Sequence, residues 1–291
     1  MLDKHRAPPS GAKTLPGLDE RFADVRGVRM RYFTGGAAAG PELVLIHGLS
    51  GSASNWRPLV ALLAARYRVL VPELPGHGGS SPLPAAPSLA PYADRIALVA
   101  EREAFRHAIV VGHSLGGLVA VRLALRRPDA VRAVLLVGAA GISSATRRAK
   151  KALAISAAVK PGRRLAPLRR TIARRPRLRS LVLRCGVADP AAMTAAVAEA
   201  FLESPALYTD VGSAARALVA DDVRVGLRAL ECPVAIVWGA RDLQTGVADA
   251  CEYARRLDAP LRVIADCGHL LIGERPDACA RAIDELVASV S

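Results

Sequence analysis

The chain has 291 residues, a formal net charge of +14 and 52% apolar residues, enough for one α/β domain with an insertion and too apolar for a chain disordered throughout. The charge is local: fourteen Lys or Arg and no Asp or Glu lie between Ser143 and Ala188. With aromatic residues at 4% and no zinc-finger spacing, the composition excludes the usual nucleic-acid-binding surfaces, and no nucleic-acid partner is expected.

Residues 1–17 are rich in Pro, Gly and charge, which predicts a loose tail; they lack the apolar stretch of a secretory signal, so a cytoplasmic location is expected. From Arg21 to Phe33 the pattern is that of an antiparallel pair turning near Arg26-Gly27. Strand-length, β-branched runs follow at Leu43–Ile46, Val69–Val71, Ile109–Val111, Val134–Val137, Val234–Val237 and Leu261–Ile264. Helical stripes separate several of them, such as Leu59, Leu62 and Leu63, or Ile283, Leu286, Val287 and Val290. Apolar strands alternating with amphipathic helices predict a mostly parallel sheet covered on both faces, an α/β fold.

The alternation breaks over 142–223, which reads as a helical insertion between a first core part (18–141) and a second (224–291). Its stripes are Leu165, Leu168 and Ile172, and Met193, Val197 and Phe201, with five prolines cutting it into short helices. No apolar run of about 18 residues predicts a membrane span. Five cysteines without CxxC spacing predict neither a disulfide framework nor a zinc site.

Gly112-His113-Ser114-Leu115-Gly116, followed by Gly117, stands between an apolar strand run and the helix-like Leu118–Arg126. A sharp strand-to-helix turn exposes a serine side chain and tolerates only small flanking residues. A serine hydroxyl is a weak nucleophile and needs a base held by an acid. Of six histidines, His5 lies in the tail, His107 at a strand foot, and His47, His77 and His113 in glycine-rich turns. His269 remains, in the loop after Leu261–Ile264, where parallel sheets carry reactive side chains. Asp242, in Trp238-Gly239-Ala240-Arg241-Asp242, leaves the preceding strand in the same manner, 27 residues before His269, with Asp266 as its competitor. The backbone amides of Leu115 and of Leu49, in Leu45-Ile46-His47-Gly48-Leu49, are the candidates for oxyanion donors. The catalytic set is therefore Ser114, Asp242 and His269, with no metal and no organic cofactor required. Cys267, Trp56 and Trp238 read as packing residues.

These residues resemble the α/β-hydrolase fold superfamily, in its lidded esterase- and lipase-like branch, from about Arg21 to Val290. The matching pieces are His47-Gly48, Leu74-Pro75-Gly76-His77-Gly78-Gly79-Ser80, the Ser114 pentapeptide, Trp238-Gly239 with Asp242, and Gly268-His269 with Glu274 and Pro276. Glu73 stands where relatives commonly have Asp. The resemblance implies an eight-stranded twisted sheet with 142–223 as a lid, and Ser114, Asp242 and His269 as the triad with Leu49 and Leu115 at the oxyanion hole. It implies hydrolysis of a small or medium hydrophobic ester through an acyl-enzyme. Serine at 114 separates the chain from relatives that form an alkyl ester on an aspartate. Alternatives on the same scaffold are carbon–carbon bond hydrolysis of ring-cleavage diketones, a cofactor-free haloperoxidase or perhydrolase, and a non-catalytic binding module. The basic insertion further suggests weak contact with an anionic membrane surface; nothing in the pattern sets an oligomeric state.

Overall fold

The computed structural model describes residues 15–84, 88–142, 165–203 and 210–291. Eight strands form one open sheet: β1 (Leu18–Val25), β2 (Val28–Gly36), β3 (Glu42–Ile46), β4 (Arg68–Pro72), β5 (Ala108–His113), β6 (Val131–Val137), β7 (Val234–Gly239) and β8 (Leu261–Ile264). Their spatial order is β1-β2-β4-β3-β5-β6-β7-β8. β2 is antiparallel to both β1 and β4, and every pairing from β4 to β8 is parallel. The β1–β2 hairpin turns on Arg26 and Gly27, both at positive φ (50° and 74°), the conformation that suits a two-residue hairpin to the twist of its strands. Of the predicted tail, residues 1–14 lie outside the described residues, and Leu15 is buried beside Leu18 and Phe33.

Helices α1 (Arg57–Leu63), α2 (Ala90–Arg102) and α3 (Leu115–Arg126) alternate with the strands as far as β6. Between β6 and β7 lie α4 (Arg169–Arg174), α5 (Pro176–Leu183), α6 (Ala195–Glu203) and α7 (Val211–Ala220). Then α8 (Val247–Leu257) precedes β8, and α9 (Leu271–Glu274) and α10 (Pro276–Val290) follow it. Successive strand residues point to opposite faces. Val44, Ile46, Val110, Val134, Leu136, Ile236 and Trp238 pack with α2, α3 and α8. Leu43, Leu45, Ile109, Val111, Leu135, Val137 and Val237 pack with α1, α9 and α10. Each such fully buried aliphatic side chain contributes about 1.5–3 kcal/mol of transfer free energy.

Three details depart from the sequence pattern. In α1 the buried set is Leu59, Val60 and Leu63, while Leu62 turns outward and is 44% exposed. Leu168 is 55% exposed because it ends a tight turn of 3₁₀ helix at Ala166–Leu168, which shifts it off the stripe that Ile172 continues. β8 is the sheet edge, and its Arg262 and Val263 are exposed instead of covered.

The described residues between β6 and β7 form helices and turns and no strand. They hold a small core of their own: Ile172, Ala173, Val187, Met193, Ala198 and Leu202. Arg179 is buried there and satisfied by carbonyls, donating to Pro190 O (2.9 Å), Ala191 O (2.7 Å) and Ala173 O (2.5 Å). The insertion is tied to the sheet domain by apolar and polar contacts: Ala214, Ala217, Leu218 and Val223 join the core that contains α2 and α3, and Phe201 packs against the core on the other face. Ser54 Oγ donates to Ala200 O (3.1 Å), and Asp221 accepts from Arg122 Nε (2.8 Å) and from the Leu89 amide (3.1 Å).

Candidate active site

Ser114 is the single residue between β5 and α3, and it holds φ 54° and ψ −120°. A non-glycine residue in that region carries about 1–3 kcal/mol of strain and persists only where its surroundings over-determine it. Here they do. Its N–H donates to Val137 O (3.1 Å), and its carbonyl accepts from Gly117 N and Ala140 N (both 3.0 Å). A Cβ on Gly112 would run into the Gly116 backbone, and one on Gly116 into the Ile46 carbonyl. The two glycines of the pentapeptide are thus required by β5, α3 and β3 closing on one another.

Leu115 is the first residue of α3, so its amide is among those without an intrahelical acceptor, at the positive end of the helix. The turn after β3 presses on the serine: a Cβ on Gly48 would stand 3.0 Å from Ser114 Cβ. Leu49 follows directly. The turn is braced by His47, whose Nδ1–H donates to Gly48 O (2.8 Å) and whose Nε2 accepts from Leu74 N (3.1 Å). The buried Glu73 carboxylate joins this loop to the next, accepting from Ala53 N (3.1 Å) and Gly79 N (2.5 Å). Burial raises the Glu73 pKa, against the pull of Arg31 and of these amides.

His269 and Asp242 meet. The ring Nδ1–H donates to Asp242 Oδ2 at 2.8 Å, which leaves Nε2 as the lone-pair nitrogen, and both residues are buried. Asp242 Oδ1 accepts the amides of Gln244 (2.8 Å) and Thr245 (2.9 Å), and Oδ2 also accepts the Thr245 hydroxyl (2.8 Å). Burial by itself raises the Asp242 pKa. The hydrogen bond and charge of His269, with the Thr245 donors, outweigh it and hold the carboxyl below its ordinary value. Thr245 Oγ also lies 3.2 Å from Gly138 O and 3.3 Å from His269 Nδ1. Gly138, which follows β6, sits beside the pair: its Cβ would lie 3.4 Å from Asp242 Oδ2 and 3.6 Å from His269 Nδ1. Asp266, the competitor, is exposed and pairs with Arg241 at 2.9 Å.

The remaining histidines have other work. His113 donates Nε2–H to His269 O (2.8 Å), with the two rings 4.9 Å apart; burial, with His269 nearby, pushes it down to about 3. Burial likewise lowers His47 to about 3 and His77 to about 4, and His77 contacts Pro75 O at 3.1 Å. His107 is exposed. Cys267 is buried, and burial pushes its thiol pKa far up. Trp56 and Trp238 are fully buried, the latter donating to Thr245 O (2.6 Å). Among the described residues, no three His, Cys, Asp or Glu are grouped to hold a metal ion. No described helix is long and apolar enough to cross a membrane.

The motif pattern assigns no role in this site to three of its residues. Thr245 was detectable in principle, since a hydroxyl three residues after Asp242 can fold back on the same turn. His113 lies in a glycine-rich turn, and its bond to a carbonyl 156 positions away has no local signal. Glu274 stood only as a motif piece.

A strained serine at a strand–helix junction of a parallel sheet, with an imidazole–carboxylate pair on strand ends of that sheet, defines an α/β-hydrolase architecture. The chain belongs to the alpha/beta hydrolase family, whose model matches residues 43–282. It is 35% identical over 263 residues to a pimeloyl-(acyl-carrier protein) methyl ester esterase of Aromatoleum aromaticum, covering 85% of this chain and 98% of that protein. It is 42% identical over 125 residues to the dihydrolipoyllysine-residue acetyltransferase component of the acetoin cleaving system of Cupriavidus necator. That match covers 43% of this chain and spans only 33% of that longer protein. Among solved structures, a membrane phospholipase A described as a bacterial virulence factor superposes with a TM-score of 0.71 at 26% identity, over 94% of this chain and 87% of that one.

Proposed function

We propose that this chain is a serine hydrolase cleaving a carboxylic ester of a small or medium hydrophobic acyl or alcohol group through an acyl-enzyme. The observation that carries this reading is the 2.8 Å His269–Asp242 bond at the same carboxyl end of the parallel strands as a serine held at φ 54°. His269 Nε2 takes the hydroxyl proton as Ser114 Oγ attacks the ester carbonyl carbon, and Asp242 stabilises the imidazolium that forms. The amides of Leu49 and Leu115 receive the oxyanion. The alcohol leaves with the proton from His269, and water repeats the sequence to release the acid. The methyl ester esterase of Aromatoleum aromaticum supports the ester class. Residues 142–223 serve as the lid, and their Ala, Leu and Val composition suits an apolar acyl chain.

Labelling with a fluorophosphonate, followed by a panel of p-nitrophenyl esters of graded chain length beside a ring-cleavage diketone, tests the proposal. Ser114 is expected to carry the label, and Ser114→Ala to lose both label and about 10⁴-fold or more of the ester turnover. Full turnover by that variant would refute the assignment.

A lipid-surface role of the lid has its own support. Arg174 on α4, Arg177 on α5 and the flanking Arg175 and Arg184 are exposed, as are Leu168 and Leu181, and the described residues from 165 to 188 include no carboxylate. Such a face suits an anionic bilayer. Sedimentation at low salt with anionic against neutral vesicles checks this, and equal partitioning removes it.

A further inference from the structure

One motif piece has no part in the chemistry above: Glu274, the last residue of α9. Its carboxylate turns back on the histidine loop and accepts the Gly268 amide, at 3.1 Å from each oxygen. The same carboxylate accepts the Ala188 amide of the insertion at 2.8 Å. On the other side of His269, the Leu270 amide donates to Gly186 O of the insertion (2.9 Å). Leu270 also packs against the insertion's small core. A Cβ on Gly268 would stand 2.8 Å from Ala188 N and 2.9 Å from Gly186 O, so the two backbones touch with no side chain between them. Gln244, two residues after Asp242, reaches Cys185 O at 3.5 Å. Both chain neighbours of His269 are therefore bonded to residues 186–188, directly or through one shared carboxylate.

The geometry points to Glu274 as a positioning residue that makes the seat of His269 depend on where insertion segment 185–188 sits. The inference rests on the reading of His269 as the general base. Bonds to an ionised carboxylate are roughly twice as strong as neutral ones, and two amides converge here on one side chain. A glutamine whose oxygen replaces Oε2 can still meet both amides, but it carries no charge and sets an N–H₂ against the Gly268 N–H where Oε1 stood, so it weakens the clamp without abolishing it. A shift of about 1 Å in a catalytic group costs on the order of 100-fold in rate. Displacement of the lid segment is thereby transmitted to the imidazole without contact with Ser114.

The test is steady-state ester hydrolysis by wild type, Glu274→Gln and Glu274→Ala, assayed well below each melting temperature. Glu274→Ala is expected to lose about 10- to 100-fold in kcat with KM changed by less than about threefold, and Glu274→Gln to fall between it and wild type. A brace with no bearing on the base would lower the melting temperature and leave kcat intact, and that result overturns the inference. Hydrogen exchange on the wild-type chain needs no variant. The amides of Ala188, Gly268 and Leu270 are expected to open together, whereas rapid exchange at 185–188 beside a protected 268–270 loop also overturns it. A wild type that neither hydrolyses esters nor takes the fluorophosphonate label would instead sink the proposed function, and the exchange experiment separates that outcome from a failure of the coupling.

Discussion

The loops that leave β5, β7 and β8 and the helices inserted between β6 and β7 are held by different forces. Ser114 is placed by backbone alone: strand ends, a helix start and two glycines with no space for a Cβ. Asp242 and His269 add buried polar bonds to that frame. The insertion has a core of six small and medium side chains, an outer face rich in arginine, and tethers to the sheet domain that combine a few hydrogen bonds with apolar packing of Phe201, Ala214, Ala217, Leu218 and Val223. Tight backbone packing makes the first region intolerant of any added atom, whereas the second tolerates sequence change wherever its tethers are spared.

The largest effect that would sharpen this contrast beyond the serine itself is expected from Asp242→Asn. It leaves the fold in place but offers an amide to His269 Nδ1, which favours the wrong tautomer; ester kcat should fall by about 10⁴-fold. Thr245→Val removes one hydroxyl from the same carboxylate. A hydrogen bond to a charged group contributes about 1.5–3 kcal/mol, so kcat is expected to drop by about tenfold or more, with Thr245→Ser restoring most of it.

A smaller effect is expected in acid. Asp242 titrates lower in the folded chain than its ordinary 3.8. The folded state then binds fewer protons than the unfolded one, so this group's stabilisation is complete above about 3.8 and disappears as the pH falls through the folded value. Acid-unfolding curves should show wild type losing more stability below that point than Asp242→Asn does. Equal losses would mean that His269 and Thr245 do not hold the carboxylate. The smallest effect belongs to the insertion: each of Arg174, Arg175, Arg177 and Arg184 changed to Gln should shift thermal stability by less than about 0.5 kcal/mol. A cooperative collapse from those exposed changes would erase the distinction between the two regions.

Much of the site was legible because its constraints are local. Gly112 is required by the Gly116 backbone within the same five residues, although Gly116 is required by the Ile46 carbonyl of β3, and the strand runs before Asp242 and His269 place both at carboxyl ends. Side-chain facing was less legible. Leu62 and Leu168 fit helical stripes on paper, yet a seven-residue helix and a tight turn rotate them to solvent.

The alternation of strands and helices, the strand-to-helix setting of Ser114 and the residue types that follow β7 and β8 are written in the chain, since they rest mainly on sterics and polarity over a few neighbouring positions. Folding in three dimensions was needed to bring Asp242 and not Asp266 to the ring, to set His113 on the His269 carbonyl, and to join the histidine loop to Ala188 through Glu274. Those partners lie 27, 156 and 86 positions apart, and a hydrogen bond of such range exists only once the sheet has brought its distant strand ends together.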